Sequence, residues 1–210
     1  MTIKKTLLAI PTVKTMQVEF QRCLMQLLAA NPGTDYSLID QAAIHVAREW
    51  AAVQMREGGY DSILYLDSDM TFPPDLLQQL RRHDAPVVSA MCVKRVEPYT
   101  PCFYKELGYA DGGRVKLEPF DLDKWPDKPF TAAAVGAACL LIKAEVFDKI
   151  KYPWFLPLPN AGEDITFCLR LQAAGIPILI DPGPIVGHLE TRPVTVSDYI
   201  KRKREAINLD

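Results

Sequence analysis

The chain has 210 residues, a length typical of one domain or one large α/β unit, and its 49% of hydrophobic residues excludes a disordered chain. The formal net charge of −2 gives no bulk attraction to nucleic acid or to an anionic membrane. Five widely spaced cysteines without a Cys-x-x-Cys pair predict free thiols, and no stretch is long enough to span a bilayer, so we expect a cytoplasmic protein.

The first half of the chain alternates predicted strands and helices. The apolar run after Lys4 and Lys5 is too short for a signal peptide and ends at Pro11, so we interpret it as a strand. Ser37, with Asp40 three residues later, forms a variant of a helix capping box. The predicted elements are a strand over 6–10, a helix over 16–29, a helix over 38–57 with Ile39, Ala43, Val46, Trp50 and Val53 on one side, a strand over 63–66, a helix over about 74–82 and a strand over 86–92.

The second half is less regular, and most of its predicted elements are short. They are strands at 101–104 and 114–117 around a turn at 111–113, an apolar run over 131–142, a helix over 144–150, a helix over 164–174 that ends at Gly175, and a strand over 176–180. The alternation along the chain predicts an α/β fold with a mainly parallel sheet, flanked by helices, whose ligands bind at the carboxyl ends of the strands. We predict one domain over 1–196 and a charged helix or tail over 197–210.

Two aspartates, Asp67 and Asp69, follow the predicted strand over 63–66 with only Ser68 between them. Two carboxylates held side by side at a buried strand end need a cation to offset their charge, and a divalent ion with oxygen ligands does so. Such an ion also holds phosphate oxygens. The alternative is that the Asp-x-Asp pattern arises by chance or serves as a helix cap, since a helix is predicted to begin near Pro73-Pro74-Asp75.

Three further positions carry candidate functional side chains. Glu163 and Asp164 open a predicted helix, where acidic residues serve as caps, or where one carboxylate takes a proton from an acceptor hydroxyl. His188 follows the last strand and is either structural or a third metal ligand. Arg48 is either a solvated helix residue or a contact to donor phosphates. His45 and His83 are predicted to lie on solvated helix faces.

Several segments together resemble the nucleotide-sugar glycosyltransferases of the GT-A fold, and most closely small family-2-like enzymes of phage and bacterial genomes. The resemblance covers most of the chain, and its motifs follow one another in the order found in that group. The matching segments are Ala-Ile-Pro-Thr (9–12), Val-Ala-Arg-Glu (46–49), the Asp-x-Asp segment from Leu64 to Asp75, Val-Gly-Ala-Ala-Cys-Leu-Leu-Ile (135–142), the Glu-Asp helix segment from Gly162 to Gly175 and Gly-His (187–188).

The resemblance implies a GT-A, Rossmann-like fold and a hexosyltransferase that depends on Mn²⁺ or Mg²⁺. It implies Asp164 as the base with Glu163 shaping the donor sugar site, and Asp67, Asp69 and His188 as metal ligands. The donor-binding residues that it implies are Pro11, Thr12, Arg48, Asp67, Ser68 and Gly136. A UDP-sugar is the donor expected from the family and GDP-mannose is the second choice. The acceptor stays open among a saccharide, a lipid-linked sugar, a protein and a modified DNA base, the last because of the basic run from Lys201 to Arg204.

Two features depart from that group. Glu49 stands where many members have Asn, and the chain lacks the Gln-x-x-Arg-Trp motif of processive polysaccharide synthases, which argues against processive polymerisation. Two other functions stay open. A nucleotidyltransferase would need a glycine-rich loop after the first strand, where this chain has Ile-Pro-Thr-Val-Lys-Thr, and a non-catalytic relative would be expected to lose one of the carboxylates.

Overall fold

The computed structural model of the chain describes residues 5–13, 15–40, 42–121 and 126–190. The first elements along the chain are β1 (Thr6–Thr12), α1 (Val18–Ala30), β2 (Asp35–Asp40), α2 (Ile44–Glu57), β3 (Ser62–Leu66), β4 (Met70–Thr71), α3 (Leu76–Arg81) and β5 (Val87–Ala90). The later elements are β6 (Phe103–Tyr109), β7 (Val115–Pro119), β8 (Phe130–Ala132), β9 (Ala134–Val135), β10 (Cys139–Lys143), α4 (Val146–Lys149), α5 (Glu163–Ala173), β11 (Ile178–Asp181) and β12 (Gly187–His188). The predicted charged tail over 197–210 lies outside the described residues.

A seven-stranded sheet with the order β2-β1-β3-β10-β5-β11-β8 forms the centre of the molecule. Five of its strands run in one direction, while β10 and β8 run against their neighbours. The mainly parallel α/β sheet predicted from the sequence is therefore confirmed. The carboxyl ends of β1 and β3 meet at one edge, and the antiparallel β10 begins at that same edge, so the residues just before it arrive there too.

Hydrophobic cores cover both faces of the sheet because side chains alternate along its buried strands. On one face, Leu8 and Leu64 pack with α1 and α3. On the other, Ala9 and Tyr65 pack with α2 and α5. Both faces are thus covered by helices, as expected for strands that are apolar throughout. Among the residues that the structure describes, no helix has the length and apolar character needed to cross a membrane.

The predicted helix over 38–57 is wrong at its start. Residues 35–40 form the edge strand β2, which pairs in parallel with β1, and the helix begins only at Ile44. Ser37 therefore caps no helix, and its hydroxyl donates a hydrogen bond to the Gln54 side chain at 2.8 Å. Asp-Tyr-Ser-Leu-Ile-Asp is a short sequence whose strand conformation comes from pairing with β1, a tertiary effect that a local capping pattern does not report.

The side of that helix that carries Trp50 is not its buried side, since Trp50 is 57% exposed. The residues that face the sheet are Ala47, Arg48, Ala51, Ala52 and Met55. Small alanines let the helix backbone approach the sheet closely. The size of a hydrophobic side chain was therefore a misleading guide to the side of α2 that packs on the sheet.

The apolar run over 131–142 contributes to three strands, β8, β9 and β10. β8 closes the edge of the main sheet beside β11, β9 joins a three-stranded sheet with β6 and β7, and β10 enters the main sheet between β3 and β5. The small residues from Gly136 to Ala138 form the link between β9 and β10. Because both ends of this link belong to ordered strands, its backbone is held at the carboxyl edge of the sheet.

Candidate functional site

Predicted site residues from distant parts of the chain meet at the carboxyl edge of the sheet. Pro11 and Thr12, at the end of β1, line one pocket of about 530 Å³ together with the segment from Asp67 to Asp69. The rest of its lining is Val13, Thr15, Gln17, Ala42, Ile44 and Arg95. The hydroxyl oxygen of Thr12 is buried without a hydrogen-bond partner among the described residues. A buried hydroxyl of this kind is available to a bound ligand.

Arg48 organises the floor of the site. It is only 3% exposed, and its guanidinium donates to Asp67 Oδ1 at 2.9 Å, to Glu163 Oε1 at 3.0 Å and to the Ala137 carbonyl at 2.8 Å. Burial alone would lower its pKa, but the charges of Asp67, Glu163 and Asp164 outweigh this and raise it. Arg48 is therefore a permanent cation that ties α2 to the end of β3 and the start of α5.

This position differs from the solvated helix face considered for Arg48. Its guanidinium is directed at two carboxylates inside the protein, a positioning role that sequence reasoning missed. A direct contact from Arg48 to a donor phosphate stays a prediction.

The turn after β3 gives the two aspartates different surroundings. The amide of Asp67 donates to the Ala138 carbonyl at 3.0 Å, and the amide of Met70 donates back to the Asp67 carbonyl at 3.2 Å. Burial raises the pKa of Asp67, as do Asp69 and Glu163, while Arg48 opposes them. The guanidinium of Arg48 therefore offsets part of the negative charge that the Asp67 carboxylate brings to the site.

Asp69 lies further out and contacts two other side chains. Its Oδ2 is 2.5 Å from Arg95 Nη1 and 3.2 Å from His188 Nε2. Burial works against the charged form, but the hydrogen bond from His188 and the charges of His188 and Arg95 lower the pKa of Asp69. The segment is fixed because the Leu189 amide donates to the Asp69 carbonyl at 2.7 Å, and β12 pairs with β4.

The imidazole of His188 has its tautomer set by the backbone. Its Nδ1 lies 3.0 Å from the Val93 carbonyl, which can only accept, so Nδ1 carries a proton. Its Nε2 then faces Asp69 either as a second N–H or as a lone pair that a cation can share with the carboxylate. Metal-binding histidines characteristically donate their other N–H to a carbonyl in this way.

The donor chemistry of Asp67, Asp69 and His188 therefore fits a divalent cation. However, no group of three or more His, Cys, Asp and Glu side chains within the described residues is gathered closely enough to hold a metal ion. The two aspartates are directed at different arginines, because Asp67 pairs with Arg48 and Asp69 pairs with Arg95. Metal ligation by these three residues stays a prediction.

Asp164 lies where the start of α5 approaches the link between β9 and β10. Its Oδ1 accepts a hydrogen bond from the Ile165 amide at 2.7 Å. Its Oδ2 lies 3.7 Å from the position of a Cβ on Gly136, which directs this oxygen at the glycine. Burial, together with the charge of Glu163, raises the pKa of Asp164 to about 6. One oxygen thus accepts a hydrogen bond from an amide in the first turn of α5, while the other faces Gly136.

Glu49, His83 and His45, which the sequence analysis singled out, lie outside the lining of this pocket. Glu49, the departure from Asn, accepts hydrogen bonds from the amides of Trp154 and Phe155 at 2.9 and 2.8 Å, and so anchors the chain that leads to α5. The placement of His83 on a solvated helix face is wrong. It lies beyond α3 and its Nε2 is 2.7 Å from Asp181, a carboxylate that is 1% exposed. His45 is partly exposed on α2, in line with its predicted position.

Sequence reasoning also missed Arg95. It lies in the irregular stretch after β5, a strand that ends at the same edge of the sheet as β3. A signal was present, because polar residues that follow such a strand are placed at the ligand-binding edge of a parallel sheet.

Comparisons with known proteins bear on the fold. No family model and no curated protein matches the chain. Among solved structures, the crystal structure of A197 from STIV matches with a TM-score of 0.63 and 19% identity, over 89% of this chain and 86% of that one. The crystal structure of GalNAc-T7 with UDP, GalNAc and Mn²⁺ matches with a TM-score of 0.61 and 12% identity, over 95% of this chain and 47% of that one. At these identities the likeness concerns the fold, and the chain has the GT-A-like fold that its sequence predicts.

Proposed function

We propose that this protein is a metal-dependent glycosyltransferase that moves a sugar from a nucleoside diphosphate sugar, with a UDP-sugar as the expected donor, to a hydroxyl group of an acceptor. The observation that carries the proposal is the meeting of Thr12, the Asp67–Asp69 segment and Asp164 at the ligand-binding edge of a GT-A-like sheet. The structural likeness to GalNAc-T7, whose crystal structure contains UDP, GalNAc and Mn²⁺, supports this type of donor and metal.

The pocket beside β1 is assigned to the nucleoside diphosphate. Pro11 and Thr12 form one wall, and the unpartnered hydroxyl of Thr12 supplies a hydrogen bond to the donor. Asp69, His188 and Asp67 would hold Mn²⁺ or Mg²⁺, which neutralises charge on the departing diphosphate when it is bound. Ser68 lies between the two aspartates in the same wall and is available to the donor phosphates.

The acidic pair at the start of α5 is assigned to the chemical step. In an inverting reaction, the acceptor oxygen forms a bond to the anomeric carbon as the bond from that carbon to the diphosphate oxygen breaks. The electron pair leaves with the diphosphate, and the acceptor's proton passes to Asp164. Glu163, held by Arg48, shapes the site of the donor sugar, and Gly136 leaves room for that sugar beside Asp164.

Asp69→Asn is expected to remove most of the gain in UDP affinity that Mn²⁺ provides. The amide keeps the shape of the side chain but has no charge to offer a cation, so we expect a loss of about tenfold or more, equivalent to about 1.4 kcal/mol. Titration calorimetry of UDP with and without Mn²⁺ measures this gain. Asp75→Asn, which changes an exposed carboxylate near the start of α3, serves as the control and should behave like the parent. If Mn²⁺ improves UDP binding equally in the parent and in Asp69→Asn, the metal assignment is wrong.

Gly162→Ala is expected to lower the turnover number roughly 10- to 100-fold, because a Cβ at this position would lie 2.8 Å from Asp164 Oδ1 and push the carboxylate aside. Gly136→Ala should act differently. Its Cβ would make ordinary contacts, at 3.4 Å to Cys102 Cβ and 3.7 Å to Asp164 Oδ2, yet it would fill space assigned to the donor sugar. We therefore expect Gly136→Ala to raise the KM for the donor.

Steady-state kinetics with a verified acceptor separate these two effects. Gly108→Ala is a matched control, since a Cβ there meets nothing within 4 Å. Equal kinetics in Gly162→Ala and Gly108→Ala would show that the position of Asp164 does not matter for transfer.

A further inference from the structure

A hydrogen-bonded loop over residues 93–101 lies beside the pocket that is lined by Thr12 and the Asp67–Asp69 segment. Its two sides are joined by hydrogen bonds from the Lys94 amide to the Thr100 carbonyl and from the Cys102 amide to the Cys92 carbonyl, both at 2.9 Å. The base of the loop is attached to the site, because the Val93 carbonyl accepts the Nδ1–H of His188. The backbone of the loop is therefore fixed beside the site, although residues 94–99 are themselves exposed.

Arg95 is the side chain that the loop directs into the pocket. Its guanidinium forms an ion pair with Asp69 Oδ2, the same oxygen that faces His188 Nε2. It is also the only arginine or lysine among the described residues that line this pocket. A guanidinium bound to Asp69 Oδ2 competes for the oxygen that a cation shared by Asp69 and His188 would use, and two cations on one oxygen repel each other.

Arg95 differs from Arg48 in its freedom to move. The Arg95 side chain is 53% exposed, whereas that of Arg48 is 4% exposed and is held by two carboxylates. An exposed arginine on a surface ion pair gives up its partner at little cost. The guanidinium also matches phosphate oxygens with two parallel hydrogen bonds, so a diphosphate in the pocket offers Arg95 a second partner.

We propose that Arg95 is an internal counter-ion that exchanges partners, binding Asp69 when the donor is absent and the donor's diphosphate when a metal ion takes Asp69. This inference rests on the proposed function and deepens it. It predicts that Arg95 weakens the binding of Mn²⁺ alone but strengthens the binding of UDP once Mn²⁺ is present. The metal and the nucleotide are thereby coupled through one side chain.

Arg95→Met separates the two effects because they have opposite signs. Calorimetric titration with Mn²⁺ alone should give an affinity about two- to fivefold higher than in the parent, since the competing cation is gone. Titration with UDP at saturating Mn²⁺ should give an affinity about tenfold lower, since a charge-assisted contact to phosphate is lost. Arg56→Met removes another partly exposed arginine, whose ion pair with Asp148 lies outside the pocket lining, and should leave both affinities unchanged.

An unchanged or lower affinity for Mn²⁺ alone in Arg95→Met overturns the proposal, and so does an unchanged affinity for UDP. Asp69→Asn distinguishes this failure from that of the proposed function. If the parent binds UDP with Mn²⁺ and Asp69→Asn does not, while Arg95→Met matches the parent, then the exchange is wrong and the donor site stands. If the parent binds neither Mn²⁺ nor UDP, the partner exchange of Arg95 and the proposed function both fail.

The fold of the variant is checked by circular dichroism melting. Arg95→Met should melt like the parent, because the lost ion pair is partly exposed.

Discussion

Asp164→Asn should lower sugar transfer by a factor of about 10²–10⁴, the usual contribution of general-base catalysis, while the binding of donor and metal stays nearly intact. The amide oxygen can still accept the hydrogen bond from the Ile165 amide, so the first turn of α5 keeps this contact. It cannot accept the proton of the acceptor, so the loss should fall on the turnover number. Single-turnover kinetics with a verified acceptor measure it, and turnover equal to the parent's would eliminate the base role.

Glu163→Gln is the matched comparison. Its side chain is held by Arg48 and is assigned to the donor sugar site, so we expect weaker donor binding together with a smaller loss of rate. The parent should also lose activity as the pH falls below about 6, where the raised pKa of Asp164 leaves the base protonated. In Asp164→Asn this step in the pH profile should be missing.

The same carboxyl group links stability to pH. Its pKa is raised in the folded protein from 3.8 to about 6, so its favourable contribution is complete below pH 4 and is lost as the pH rises through 6. Asp164→Asn lacks this dependence. The difference in free energy of unfolding between variant and parent should therefore shift in favour of the variant, by on the order of 2–3 kcal/mol between pH 4 and pH 7.

Arg48→Met should destabilise the protein by about 3–5 kcal/mol at neutral pH. The substitution leaves Asp67 and Glu163 without the cation that bonds both, and it leaves the Ala137 carbonyl without its donor. Two carboxylates in a partly buried site with no positive partner carry the full cost of desolvation. Urea denaturation followed by circular dichroism measures the change.

The pH dependence identifies the cause of that loss. If unpaired carboxylates are responsible, the deficit must shrink as the pH falls and the carboxyl group of Asp67, whose pKa is raised by burial, takes up a proton. Arg56→Met provides the control on the same helix, since the Arg56–Asp148 pair is exposed and should contribute no more than about 1 kcal/mol. A deficit in Arg48→Met as small as that of Arg56→Met would show that Arg48 does not organise the site.

The sequence predicted the parts of this fold that depend on local patterns. The strand before Asp67 is a short apolar run and the helix that ends at Gly175 has a glycine with φ of +67° there, so both were found close to their true bounds. The meeting of Thr12 and Asp67 at one edge followed from the alternation of strands and helices. These features need only periodicity and the rule that parallel strands present ligands at their carboxyl ends.

The rest depends on contacts between distant residues. β10 runs antiparallel between β3 and β5, and nothing in Cys-Leu-Leu-Ile-Lys specifies that direction or that place. The sequence alone predicts Arg48 as a surface residue on an amphipathic helix. Its burial is favourable because Asp67 and Glu163, which are distant in the sequence, pair with its guanidinium. Ser37 has the chemistry of a cap, but the free edge of β1 determines its conformation. Strand pairing and side-chain burial, which involve residues distant in the sequence, therefore determine the direction of β10, the position of Arg48 and the conformation of Ser37.

A crystal structure of the protein with UDP and Mn²⁺, with anomalous diffraction recorded at the manganese edge, tests the central claim most directly. We predict a manganese peak coordinated by Asp67, Asp69 and His188, the diphosphate of UDP in the pocket beside Thr12, and the Arg95 guanidinium moved from Asp69 to the phosphates. Manganese or UDP bound elsewhere, with the Arg95–Asp69 ion pair unchanged, would contradict the assignment of this pocket as a donor site.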